Sequence, residues 1–120
     1  MSKVKKEFLE WTVGKLAGDG RPFPERWWFY CPGCQAACKK NNPDYTDEEC
    51  RNVSVHVVNV RDIHRFNGDT EKPTFSPSLM YNFIPGHVCH SFVEDGKIRF
   101  LGDCTHPLAG QTVDLLEIDE

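Results

Sequence analysis

The sequence predicts a mostly β fold: a small antiparallel domain with short helices or loops between its strands. Three observations carry this prediction. Val53–Val60 (VSVHVVNV) is β-branched and partly alternating, the pattern of a half-buried strand. Val88–Glu94 and Lys97–Leu101 flank Asp95-Gly96, a dipeptide that favours a tight hairpin turn. No long stretch has helical periodicity, and no internal repeat is visible.

The elements follow in order. Residues 1–24 read as an N-terminal appendage to a domain spanning 25–120. The appendage holds a short amphipathic run, Phe8-Leu9 with Trp11 and Val13, then the loop Gly18–Pro24, where Pro22 and Pro24 stop any helix. Arg26–Tyr30 (RWWFY) is short and aromatic, a strand leading into Cys31. Residues 32–50 are polar and turn-rich, so a loop or short helix is expected there. Asn67-Gly68-Asp69 marks a turn. Thr74–Phe83 contains Pro77 and reads as an interrupted or edge strand. Gln111–Ile118 is a candidate last strand.

The chain's 120 residues suit one domain, which buries roughly two-thirds of its unfolded surface. Its net charge of −4, with scattered Lys and Arg, argues against nucleic acid as a partner. No apolar run is long enough to span a membrane, and Met1–Trp11 is charged where a signal peptide would be apolar. A cytoplasmic protein is expected. In that compartment six cysteines point to metal or catalysis before disulfides.

Cys31-Pro32-Gly33-Cys34 is a C-x-x-C knuckle, whose two thiolates can face one zinc ion across a tight turn. A tetrahedral site needs two more ligands. Cys89 lies on the first hairpin strand and Cys104 just past the second, so pairing of the strands brings them together. A four-cysteine structural zinc site is the first choice, with His106, His90 or His56 as a substitute for one cysteine. Cys38 and Cys50 read as spare surface thiols in the polar loop.

His90 alternates with Cys89, so the two face opposite sides of the strand. A serine nucleophile needs a base in hydrogen-bond reach and a third group to orient it. Ser78, His90 and an acid such as Asp103 are the right residue types, although the G-x-S-x-G elbow is absent.

The strings PTFSPSL at Pro73–Leu79, CHSF at Cys89–Phe92, DGKI at Asp95–Ile98 and LGDCTHPLAGQTV at Leu101–Val113 resemble a family of small phage and bacterial proteins. Its bacterial relatives include the BubE proteins of ubiquitination-like operons. The features shared with BubE are the CPGC knuckle, the Pro77-Ser78 pair and a histidine six residues before the hairpin glycine, here His90 and Gly96. The resemblance spans roughly residues 26–114. It implies a zinc-containing serine peptidase acting on a ubiquitin-like protein or its conjugates, phage-encoded and working in the host cytoplasm. It implies Ser78 as nucleophile, His90 as general base, and Cys31 and Cys34 as ligands, with Cys89 and Cys104 completing the set. Two other functions fit the same residues: a non-catalytic inhibitor or adaptor of a host protein, and an enzyme whose zinc is itself catalytic.

Overall fold

The computed structural model describes residues 2–6, 25–60, 64–82 and 86–118. The amphipathic run Phe8–Val13 and the loop Gly18–Pro24 lie outside the described residues. The expected fold class holds: the described residues form two antiparallel sheets with two short helices. No helix among them is long and apolar enough to cross a membrane.

In chain order the elements are β1 (Lys5–Lys6), β2 (Glu25–Tyr30), α1 (Pro32–Asn41), α2 (Asp47–Asn52), β3 (Val55–Val60), β4 (Arg65–Phe66), β5 (Phe75–Tyr81), β6 (Cys89–Glu94), β7 (Lys97–Phe100) and β8 (Thr112–Asp114). The first sheet runs β1-β2-β3 and the second β4-β5-β6-β7-β8. The two-residue strands β1 and β4 carry too few residues for a period-2 signal, and sequence alone did not show them. Val4, beside β1, is fully buried, so the start of the chain packs into the core.

Alternation along each strand builds that core. Phe29 and Val58 from the first sheet face Phe75, Leu79, Val93, Ile98 and Phe100 from the second, all buried. Phe75 stacks between Phe66 (4.9 Å between ring centroids) and Phe29 (6.3 Å). Burying each such ring contributes about 2–3 kcal/mol. The β6–β7 hairpin turns at Asp95 and Gly96, with φ of 51° and 77°. Gly96 is also pressed against the Glu71–Lys72 backbone, where a Cβ would lie 3.2 Å from Glu71 O. The Asn67–Asp69 segment is a turn whose Asp69 carboxylate caps the Glu71 and Lys72 N–H groups.

The polar stretch after Cys31 corrects one expectation. It forms α1 and α2, and Cys38 and Cys50 are joined in a disulfide, with Cα atoms 5.6 Å apart. They are not spare surface thiols. The two helices pack against each other, and Cys50 is fully buried. Helix packing that decides this pairing has no signature in the local sequence. α2 is opened by a capping box between Thr46 and Glu49.

Candidate functional site

Cys31 is the N-cap of α1, and Pro32 fills the first helical position, where its missing N–H costs nothing. The knuckle is therefore the first turn of a helix. Cys34 N–H donates to Cys31 Sγ at 3.4 Å, which orients the first thiol. Gly33 lets the His106 ring lie on this turn: a Cβ there would sit 2.3 Å from His106 Cε1. Strand β6 brings Cys89 Sγ to 3.7 Å from Cys31 Sγ, and β3 brings His56 Nε2 to 3.2 Å from Cys34 Sγ. Cys31, Cys34, His56 and Cys89 thus offer four ligand atoms, all within 4.8 Å of one another.

This donor set fits a tetrahedral ion. Two sulfurs each about 2.3 Å from such an ion stand about 3.8 Å apart, close to the Cys31–Cys89 separation. The electrostatics agree. Burial raises the Cys31 thiol, but hydrogen bonds from Cys34, Cys89 and His56 outweigh it and hold Cys31 well below its ordinary value. Cys34 and Cys89 are pushed the other way, chiefly by their contacts with Cys31. The cluster alone accommodates one thiolate; several thiolates together need a cation among them. The imidazole of His56 packs 3.8 Å from the Tyr81 ring, and its Nδ1 is buried without a hydrogen-bond partner among the described residues.

Cys104 lies beside this group rather than in it. Its sulfur falls within 4.8 Å of ligand atoms of Cys89 and His106. His87 stands next to the first group, with Nε2 3.3 Å from Cys34 Sγ. Sequence reasoning did not single out His87. The signal was available: His87 and Cys89 are two residues apart, the spacing that puts side chains on one face of an extended chain. Cys34, His56, Tyr81 and His87 line a cavity of about 630 Å³.

On the other face of β6 stands a second constellation. Cys89, Ser91 and Val93 are buried, while His90 and Phe92 alternate outward. β5 pairs with β6 through Met80↔His90, after a register irregularity between Phe75 and Leu79 that contains Pro77. Ser78 then meets His90, with Oγ 3.1 Å from Nε2. The turn Leu101–Cys104, closed by Cys104 N–H donating to Leu101 O at 3.2 Å, carries Asp103 to the far side of the ring. Asp103 Oδ2 lies 3.1 Å from His90 Nδ1. The side chains of His90 and Asp103 are 23% and 54% exposed, so these groups stand at the surface. None of the three lines the cavity at the cysteine cluster.

The family model described as BubE, bacterial ubiquitination-like system serine protease, matches residues 9–101, well over half of the chain. Ser78, His90, Cys31, Cys34, His56 and Cys89 fall inside that span; Asp103, Cys104 and His106 fall beyond it. No curated protein and no solved structure matches the chain.

Proposed function

The chain belongs to the BubE family, and from that membership we propose that it is a serine peptidase or related acyl hydrolase acting on a ubiquitin-like protein or its conjugates. The observation that supports the reading most is the line Ser78 Oγ–His90–Asp103, with 3.1 Å at each contact. In the matching tautomer His90 Nδ1–H donates to Asp103, leaving the Nε2 lone pair for the Ser78 hydroxyl. Ser78 Oγ attacks the substrate carbonyl carbon as its proton passes to His90 Nε2. The C–N bond then breaks, and His90 returns that proton to the leaving amine. Water, deprotonated by His90, hydrolyses the acyl-Ser78 ester and regenerates the hydroxyl. Main-chain N–H groups in the Ser78–Met80 segment stabilise the oxyanion. The exposed setting of His90 and Asp103 favours an extended protein segment as substrate over a small molecule. The phage-type strings at Pro73–Leu79 and Leu101–Val113 favour a substrate in the cytoplasm of a host cell.

Zinc would be held by Cys31, Cys34, Cys89 and His56. When bound, it supplies a cross-link between α1, β3 and β6 and neutralises their thiolates. Cys89 and His90 are adjacent, so this cross-link fixes the strand that carries the base.

A second reading, hydrolysis at the metal itself, draws on the cavity of about 630 Å³ lined by Cys34, His56 and His87. One experiment separates the two. The chain and Ser78→Ala are incubated with ubiquitin-like conjugates and, separately, with a fluorophosphonate probe, and products are weighed by mass spectrometry. The serine reading expects cleavage and a Ser78 adduct, both absent from a folded, metal-replete Ser78→Ala. Cleavage that survives Ser78→Ala but stops with a chelator supports the metal reading. Partner binding without any cleavage supports an adaptor.

A further inference from the structure

Cys104 has two candidate roles, and its hydrogen bonds distinguish them. The β6–β7 ladder ends at Ser91↔Phe100. One step further, Leu101 N–H donates to His90 O at 2.9 Å. A continuing antiparallel pair would return a bond from His90 N–H to Leu101 O. The chain turns at Gly102 instead, and Leu101 O is taken by Cys104 N–H at 3.2 Å. His90 N–H is left needing an acceptor at the edge of the candidate active site. Cys104 Sγ supplies it at 3.2 Å, and the same thiol donates to His90 O at 3.2 Å. The thiol thus occupies the place of the missing strand residue: it satisfies the His90 N–H and adds a second donor to His90 O, which already accepts from Leu101.

The rest of the turn is fastened alongside. Thr105 N–H donates to Val88 O at 3.0 Å, and Val88 N–H donates to Thr105 Oγ1 at 2.9 Å. Asp103 holds the His90 ring from one side while its neighbour Cys104 holds the His90 backbone from behind. A metal-bound thiolate carries no proton, and an anionic sulfur 3.2 Å from a carbonyl oxygen would be repelled. His106, the imidazole nearest to a site of this kind, accepts the Leu108 N–H at Nδ1, which puts its own proton on Nε2 and removes that lone pair from coordination.

We infer that Cys104 is a positioning residue: its protonated thiol clips the His90 backbone so that the ring is fixed between Ser78 and Asp103, and it is not a metal ligand. The catalytic part of this inference rests on the reading of His90 as the base.

The test uses the 120-residue chain, metal-loaded and ¹⁵N-labelled, and two variants. Cys104→Ser keeps a donor and an acceptor; Cys104→Ala keeps neither. Metal content is expected to equal that of the parent in both. Exchange of the His90 amide hydrogen is expected to rise about tenfold in Cys104→Ala, the scale of one neutral hydrogen bond, and to recover largely in Cys104→Ser. With a cleavable conjugate, kcat should fall about tenfold in Cys104→Ala at unchanged KM, again with recovery in Cys104→Ser. Loss of metal from Cys104→Ser, as from Cys31→Ser, would make Cys104 a ligand and overturn the inference; so would an unchanged His90 amide in Cys104→Ala. If Cys104→Ala does not fold, metal content and amide protection in Cys104→Ser decide. If the parent chain cleaves nothing, the peptidase reading fails by itself, while metal content and amide exchange still judge the clip.

Discussion

Cys89 and His90 are consecutive in the chain and back to back in space: Cys89 Sγ lies 3.7 Å from Cys31 Sγ, while His90 Nε2 lies 3.1 Å from Ser78 Oγ on the opposite face of β6. One strand therefore joins the thiol–imidazole cluster to the serine–histidine–aspartate line. Perturbing either side should be felt through this strand, but with different signatures.

Asp103→Asn keeps the shape of the turn but removes the carboxylate 3.1 Å from His90 Nδ1, which the proposed serine mechanism uses to fix the His90 tautomer. Cleavage and labelling at Ser78 should slow by about 10²–10⁴-fold, the range for general-base contributions. Circular dichroism and metal content should not change. Labelling at the parent rate would show that Asp103 does not serve the histidine.

Cys31→Ser and His56→Ala each remove one of the four clustered donors. Cys31→Ser should abolish metal binding and lower the melting temperature to that of the chelated parent, because metal binding and folding are coupled at such a site. His56→Ala should weaken binding while leaving a thiolate-rich site. In a cobalt-substituted protein, the thiolate charge-transfer band should persist in His56→Ala and vanish in Cys31→Ser. A His56→Ala protein with parental affinity would move the fourth position to His87 or Cys104.

Gly33→Ala should destabilise the fold, although alanine is the better helix former by about 1 kcal/mol. The new Cβ would fall 2.3 Å from His106 Cε1, and overpacking of this kind costs about 1–3 kcal/mol. With His106→Ala already present, the same substitution should become neutral or stabilising. Urea denaturation of the two single variants and the double variant gives the coupling directly.

Removing the Cys38–Cys50 bridge by Cys50→Ser should cost about 2–3 kcal/mol, the scale for a loop of this size, given the sequence separation of 12. The loss should match that produced by a reductant on the parent chain. Equal denaturation midpoints for parent and variant under oxidising conditions would count against a bridge in solution.

Burial holds His106 below its ordinary value of 6.5, since the imidazolium would lose its water, and the neighbouring Cys31 offsets this only in part. Unfolded, the same ring takes up a proton near pH 6.5. Just below that pH the unfolded state binds more protons. The stability contribution is complete above pH 6.5 and is lost as pH falls through the lower folded value. Denaturation midpoints at pH 7.5 and 5.5 should differ less in His106→Gln than in the parent; an equal difference in both would falsify this assignment.

The strands of strong period-2 pattern were legible because alternation is a local property. Val55–Val60, the hairpin about Asp95-Gly96, and the opposite facing of Cys89 and His90 all follow from neighbouring residues. The C-x-x-C knuckle was legible for the same reason: two donors three positions apart meet within one turn of chain. The resemblance strings pointed to Ser78 and His90 through their immediate neighbours. Val53 and Ser54 fall outside the strand that the alternation predicts over Val53–Val60, because Val53 caps the end of α2.

Contacts between distant segments required the tertiary structure. Whether His56 or Cys104 stands with Cys31, Cys34 and Cys89 depends on how β3 packs across from α1, and no spacing along the chain encodes that distance. The pairing of Cys38 with Cys50 depends on the packing of two helices. The meeting of Ser78, His90 and Asp103 depends on a strand register and a turn that close only when β5, β6 and the segment after β7 are assembled. Local pattern determined which residues were chemically capable and which face each strand residue would take. Long-range packing, driven by burial of a shared core, decided which of those residues meet.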